Sequence, residues 1–231
     1  MRRVFVRTAA AAAVLALASA APAAAQIPTS AFEITPLAGY LWGGGFETPA
    51  NGAFPAGKIA VQPSFAWGAE VGYTPSGSTW FELTYLHQSS DANFERTGGG
   101  ACPVPATGCT ATFSTNYIHA GARWEFGQRN IKPFIGGGLG ITIFDPGTTS
   151  TGVDFSSSTD FSISGEVGVI YMVGKKAADQ RFGLRATFRG WWSFVPSGQY
   201  AAWCGYYGCY AVEESATVAQ GELTGGLVIR F

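Results

Sequence analysis

Apolar and polar residues alternate with a period of two along most of the chain. Eight segments show this alternation, and each can supply the about 9–11 residues that a tilted strand needs to cross a membrane. The alternation therefore predicts an all-β protein of eight strands. The eight segments are residues 32–42, 64–74, 79–88, 115–126, 131–144, 160–173, 181–194 and 217–231.

The connections between these segments alternate in length. Short links such as "PSGS", "GQRN" and "GKKAADQ" are each followed by a long one. Antiparallel strands with short turns on one side and long loops on the other are typical of an outer-membrane barrel, whose short turns are periplasmic and whose long loops are extracellular. We therefore predict an eight-stranded antiparallel up-and-down transmembrane β-barrel. The long connections are residues 43–63, 89–114, 145–159 and 195–216.

The polar faces of the predicted strands carry few charges, and both signs are present. If the apolar faces contact lipid, these charges share one narrow lumen, where guanidinium groups pair with carboxylates in a bidentate fork. Inward glycines leave volume for the long arginine side chains, so the lumen is expected to be filled. The predicted lumen charge network is Glu33, Glu70, Glu82, Arg123, Glu125, Glu166, Arg185, Arg189, Glu222 and Arg230.

Aromatic residues lie on the outward faces, mostly near the strand ends. This placement predicts two aromatic girdles at the membrane interfaces. Composition agrees with the prediction of strands, because charged residues make up 13% of the chain, aromatic residues make up 14% and there are 32 glycines. The predicted outward aromatics are Phe65, Trp67, Tyr73, Phe81, Tyr85, Trp124, Phe161, Tyr171, Phe182, Phe188, Trp192 and Phe231.

Residues 1–25 have the pattern of a secretory signal peptide. Arg2, Arg3 and Arg7 precede an alanine-rich apolar run, and small residues at positions 23 and 25 suit cleavage after Ala25. The predicted barrel domain then spans residues 26–231. Removal of the three arginines leaves 11 of the 14 basic residues against 15 acidic ones, so a nucleic-acid partner is not expected.

The four cysteines form two close pairs, Cys102 with Cys109 and Cys204 with Cys209. Export to an oxidising compartment favours local disulfides. A four-thiolate zinc site is the alternative, but neither pair has the two-residue spacing of a zinc knuckle. We expect disulfides, no metal and no cofactor.

The first and last predicted strands resemble those of the OmpA/OmpX-like family of small outer-membrane β-barrels. The resemblance is carried by "FEITPLAGYLWGG" at 32–44 and "GLVIRF" at 226–231. It implies that Leu227, Ile229 and Phe231 form the terminal signal that the outer-membrane assembly machinery reads. It also implies a monomer in the outer membrane, surrounded by lipid and lipopolysaccharide. The chain shows no following peptidoglycan-binding domain, so tethering to the cell wall is not implied.

One pair of residues suggests chemistry. His87 and Ser89 are two residues apart, so they share the outward face at the extracellular end of the third strand. This arrangement resembles the outer-membrane lipid A deacylase barrels, in which a histidine activates a serine nucleophile. The flanking residues do not match that family and no carboxylate is evident to orient His87. Interfacial polar residues are therefore the favoured interpretation, and we assign no catalytic residue and expect no enzyme activity.

Two further features leave function open. His119 shares the inward face with Arg123, so we expect a hydrogen-bonded lumen histidine and not a metal ligand. The fourth long loop concentrates aromatic residues around two cysteines and could contact a surface protein or lipopolysaccharide. The leading hypothesis is a structural or surface-interaction protein; the alternatives are the acyl-ester hydrolase and a narrow pore or carrier for small hydrophobic molecules. The loop aromatics are Tyr200, Trp203, Tyr206, Tyr207 and Tyr210.

Overall fold

Twelve β-strands make up the regular structure in the computed structural model. The structure describes residues 31–48, 57–75, 78–96, 110–127, 130–146, 157–174, 180–196, 202–205, 208–211 and 216–231. No helix in these ranges is long and apolar enough to cross a membrane. The strands are β1 (Ala31–Gly43), β2 (Gly45–Thr48), β3 (Gly57–Val61), β4 (Ser64–Thr74), β5 (Thr79–Arg96), β6 (Thr110–Glu125), β7 (Ile131–Pro146), β8 (Ser158–Val173), β9 (Phe182–Val195), β10 (Ala202–Gly205), β11 (Gly208–Ala211) and β12 (Ala216–Arg230).

Eight long antiparallel strands close into a barrel. Their order around the wall is β1, β4, β5, β6, β7, β8, β9 and β12, and β12 pairs back onto β1. The closing register runs from Glu33 opposite Arg230 to Gly43 opposite Gln220. Closure leaves the wall without a free edge that another chain could extend, and it confirms the predicted eight-stranded barrel.

The last residue of the sequence is held by the first strand. The Phe231 backbone N–H donates to the Phe32 carbonyl oxygen at 2.9 Å, and the Phe32 N–H donates back to the Phe231 carbonyl at 3.4 Å. The Phe231 side chain is 71% exposed on the outer wall. The backbone pair therefore keeps the terminal aromatic ring at the rim, on the lipid-facing side.

The extracellular ends of the strands depart from the sequence prediction. β5 continues to Arg96 instead of ending at residue 88, and β6 begins at Thr110 instead of residue 115. β3 pairs with β5 and with β2, which extends this side of the wall above the barrel. The predicted long connections therefore contain strands that an apolar alternation does not reveal, because both faces of the extended wall lie outside the lipid.

The transition from β1 to β2 depends on two glycines. Gly43 and Gly44 have φ angles of 82° and 92°, in the left-handed region that residues with a Cβ rarely adopt. The turn directs the following residues away from β12 and onto β3. Pairing between β1 and β12 accordingly ends at the level of Gly43.

The two faces of the wall have opposite character. Large apolar side chains are exposed on the outside of all eight long strands, and the charged side chains lie inside. All twelve predicted outward aromatics are on the exposed face, which is the distribution expected of a wall surrounded by lipid.

Some sequence predictions lie outside the described residues. These are the predicted signal peptide, Cys102, Cys109, Tyr200, Tyr206 and Tyr207. The backbone of β10 and β11 is described, and there Cys204 lies directly opposite Cys209 and Trp203 opposite Tyr210. The disulfide prediction remains a prediction, although this register is the one that it requires for the second pair.

Candidate functional site

The periplasmic half of the lumen is filled by buried ion pairs, with Arg123 at its centre. Arg123 projects inward from β6, and its side chain is fully buried. Its Nη2 lies 3.0 Å from Glu33 Oε1 and 3.0 Å from Glu125 Oε1, and its Nη1 lies 2.7 Å from Glu82 Oε1. One guanidinium therefore links carboxylates from β1, β5 and β6.

Two further arginines on β9 extend the network across the lumen. Arg185 Nη1 bonds Glu70, and Arg185 Nη2 donates to Glu166 Oε2 at 3.1 Å. Arg189 Nε donates to Glu166 Oε2 at 2.9 Å, and Arg189 Nη2 donates to Glu70 Oε2 at 2.8 Å. Glu70 is on β4 and Glu166 on β8, so these bonds connect opposite walls of the barrel.

Arg230 and two aromatic rings complete the ionic half. Arg230 Nε donates to Glu33 Oε2 at 2.8 Å across the closing seam, and Nη2 donates to Glu125. The guanidinium carbon of Arg230 lies 4.5 Å from the centre of the Trp80 ring, and that of Arg185 lies 4.4 Å from the centre of the Phe134 ring. Both separations are within the range of favourable cation–π contacts.

The extracellular half of the lumen is built differently, around Trp191. The Trp191 ring stacks on Tyr117 with centroids 4.2 Å apart and meets His119 edge-on at 4.6 Å. Its Nε1 donates to Glu222 Oε2 at 2.7 Å. The Tyr117 hydroxyl donates to the Gln220 side chain, so an aromatic layer with neutral hydrogen bonds lies above the ion pairs.

His119 is a hydrogen-bonded lumen residue. Its Nε2 lies 2.7 Å from Ser162 Oγ and its Nδ1 lies 3.2 Å from Ser164 Oγ. Both ring nitrogens therefore have hydroxyl partners on β8. Within the described ranges, no three His, Cys, Asp or Glu side chains are grouped so that they could hold a metal ion.

All ten residues of the predicted lumen charge network face the interior. Nine are buried, and the Arg230 side chain at the rim is 10% exposed. The filled, charge-paired lumen predicted from the sequence is confirmed. The aromatic layer was missed, although Trp191 has the same strand parity as Arg189, and Tyr117 the same parity as His119 and Arg123.

The outer wall carries a small polar group near the top of β5. His87 and Ser89 face outward as predicted, and Ser89 is exposed. His87 Nδ1 lies 2.9 Å from Asn116 Oδ1 on β6, and the Tyr85 hydroxyl donates to the same oxygen at 3.0 Å. No hydrogen bond between Ser89 and His87 is found among the described residues. Asn116 was missed; the outward parity that it shares with Trp124 was the available signal.

A closed eight-stranded wall with an apolar exterior and a buried ionic interior defines a small transmembrane β-barrel. The family model described as "Outer membrane protein beta-barrel domain" matches residues 10–203. The chain belongs to this family and is an integral protein of the outer membrane. No curated protein matches the chain.

Solved structures with the same architecture are small outer-membrane barrels. OprG from Pseudomonas aeruginosa has a TM-score of 0.58 and 13% identity, with 89% of this chain and 98% of OprG covered. Neisserial surface protein A has a TM-score of 0.51 and 19% identity, with 87% and 99% covered. The AlkL outer-membrane protein has a TM-score of 0.50 and 12% identity, with 91% and 94% covered. At these identities the similarity shows the fold.

Proposed function

We propose that the protein is a non-conducting structural barrel that presents interaction surfaces at the cell surface. The filled lumen carries this proposal. Arg123, Arg185 and Trp191 are each no more than 3% exposed, and their partners come from walls on opposite sides of the barrel. A continuous water path would require these ion pairs and the aromatic layer to separate. Exchange of solutes through the lumen is therefore not part of the proposed role.

The extracellular extensions support an interaction role. β5, β6, β3 and β2 continue the wall beyond the barrel, and β10 and β11 form a separate hairpin in the last long loop. In that hairpin the pair Gly205–Gly208 closes a two-residue connection, and Cys204 lies opposite Cys209 in the next pair. Such a pair has a Cα separation of about 4.5 Å when it is not hydrogen-bonded, within the range for a disulfide. We propose that a disulfide here stabilises an aromatic surface for lipopolysaccharide or a surface protein.

The terminal strand supports recognition during assembly. Leu227 and Phe231 are exposed on the lipid-facing side, and Ile229 lies between them on the same face. We propose that these three side chains form the signal that the outer-membrane assembly machinery recognises before β12 pairs with β1. The folded product is proposed to be a monomer.

Conductance in a planar lipid bilayer tests the proposal. The purified protein should insert without steady channels, whereas Arg185→Ala combined with Trp191→Ala should introduce measurable openings, because that variant loses filling side chains from both halves of the lumen. A steady conductance of the unmodified protein would show that the lumen opens and that the structural role is wrong.

A further inference from the structure

The polar group on β5 and β6 has a defined hydrogen-bond direction. Asn116 Oδ1 is an acceptor, and it receives the Tyr85 hydroxyl at 3.0 Å and lies 2.9 Å from His87 Nδ1. His87 Nδ1 must then carry the proton, which leaves Nε2 as the unprotonated, basic nitrogen of the neutral ring. Trp67 packs beside the imidazole with ring centroids 5.5 Å apart and limits its rotation. The histidine is therefore oriented, although the orienting group is an amide and not a carboxylate.

A nucleophile lies on the same face of the same strand. Ser89 follows His87 by two residues, so their Cα atoms are separated by about 6.7 Å, a distance that an imidazole and a hydroxymethyl group together can span. Ser89 is exposed, and rotation about its χ1 bond moves its hydroxyl along the strand. Catalytic hydrogen bonds are often long before substrate binds, so the absence of a Ser89–His87 bond among the described residues does not oppose the pairing.

The height of this group on the wall matches the position of lipid ester bonds. His87 and Ser89 lie eight and ten residues beyond Thr79, the first residue of β5 after a short periplasmic turn. At about 3.3 Å per residue and a tilt of about 40°, they are about 20–25 Å above that turn. An outer-membrane barrel has an apolar band about 25 Å tall, so the group lies at its extracellular boundary. Acyl esters of outer-leaflet lipids lie at the same boundary.

We propose that Ser89, His87 and Asn116 form an esterase site on the outer wall that cleaves acyl esters of outer-leaflet lipid. Ser89 Oγ attacks the ester carbonyl carbon while His87 Nε2 takes the hydroxyl proton. The ester C–O bond breaks, the leaving alkoxide takes that proton and an acyl–Ser89 ester remains. Water then attacks this ester with His87 again accepting the proton, which releases a fatty acid and restores the Ser89 hydroxyl.

The roles of the three residues are distinct. Ser89 is the nucleophile and His87 the general base, and both contact the reacting atoms. Asn116 is a positioning residue that holds the histidine tautomer, as the asparagine of a Cys-His-Asn triad does. This activity is independent of the proposed structural role, because the lumen network is on the opposite face of the wall.

Covalent labelling of the folded, full-length protein in detergent micelles tests the site. A long-chain fluorophosphonate should form an adduct at Ser89, located by peptide mass spectrometry, with loss of fluoride. Ser89→Ala should abolish the adduct, and His87→Gln should slow labelling about 10²–10⁴-fold. Ser114 lies directly opposite Ser89 on β6 with the same outward parity, so Ser114→Ala is the matched control and should label at the unmodified rate.

Asn116 requires a readout that a structural role would not change. Asn116→Ala should slow labelling at least about tenfold, whereas Asn116→Asp should restore it, because a carboxylate accepts the same Nδ1 proton. The heat-dependent gel mobility of all variants should match that of the unmodified barrel, which shows that folding is intact. A folded barrel with no adduct at Ser89, or labelling that is independent of His87, would overturn the proposal.

The source of the ester is distinguished by two lipid arms. Vesicles containing only glycerophospholipid are compared with vesicles whose outer leaflet contains lipopolysaccharide, and released fatty acids are measured by mass spectrometry. Ser89-dependent release in either arm supports the site and identifies its substrate lipid. Absence of release in both arms, with the barrel folded, would contradict the lipid-esterase assignment even if the fluorophosphonate reacts.

Discussion

The two halves of the lumen fill the same cylinder with different chemistry. In the periplasmic half, Arg123, Arg185 and Arg189 bond carboxylates on several strands. In the extracellular half, Trp191 and Tyr117 stack and hydrogen-bond mainly to neutral groups. Removing one partner of a buried ion pair leaves a charge without compensation, whereas removing one neutral hydrogen bond costs far less. The halves should therefore respond to substitution on different scales.

The largest effect is expected from Arg185→Ala or Arg189→Ala. Either change leaves Glu70 and Glu166 with one arginine fewer in a buried site, so the free energy of unfolding should fall by about 3–5 kcal/mol. Urea titration in lipid vesicles, followed by gel mobility of unheated samples, measures it. Lys132→Ala is the control, because Lys132 has a single contact at 3.9 Å with Glu125 and is partly exposed. Unchanged midpoints for both arginine variants would remove the role of charge pairing.

A smaller effect is expected from Trp191→Phe. The substitution keeps an aromatic ring next to Tyr117 but removes the donor that lies 2.7 Å from Glu222 Oε2. Loss of one hydrogen bond to a charged group should lower the free energy of unfolding by about 1.5–3 kcal/mol. The same urea titration measures it, and a loss as large as that of Arg185→Ala would show that the two halves are energetically alike.

Tyr117→Phe should have a still smaller effect. It removes the hydroxyl that donates to Gln220 and preserves the stacking on Trp191. The expected loss is about 0.5–1.5 kcal/mol, the contribution of a neutral hydrogen bond. Tryptophan fluorescence during unfolding reports it directly. A destabilisation of several kcal/mol would mean that the extracellular half depends on its polar bonds more than on its packing.

Glu82→Gln is expected to change stability least. The ten-residue network has six glutamates and four arginines, and the two arginines beside Glu82 keep other carboxylate partners. Replacing a surplus carboxylate by an amide should therefore alter the free energy of unfolding by less than about 0.5 kcal/mol. This variant sharpens the comparison, because a large loss would show that every carboxylate in the ionic half is required.

Strand parity explains how much of this arrangement the sequence predicts. All eight long strands and the inward position of residues such as Arg185 follow from a period of two, because a wall between lipid and a polar lumen imposes opposite faces. β2, β3, β10 and β11 do not follow, since strands outside the lipid need no apolar face. The extensions of β5 and β6 were missed for the same reason.

The partners within the lumen could not be predicted. Arg185 bonds Glu70, which is 115 residues away, and that pairing depends on the stagger of strands around the closed wall. A single sequence fixes the parity of each residue but not this stagger. The orienting contact between Asn116 and His87 depends in the same way on the register between β5 and β6.

The bonds made by Glu33 constrain how the molecule can enter the membrane. This carboxylate belongs to the first strand, yet the groups that neutralise it are Arg123 in the middle of the chain and Arg230 near its end. A hairpin inserted by itself would carry that negative charge into the bilayer with no cation beside it. Stepwise, strand-by-strand entry is therefore energetically penalised, and the interior ions favour a nearly complete cylinder crossing as one cooperative unit.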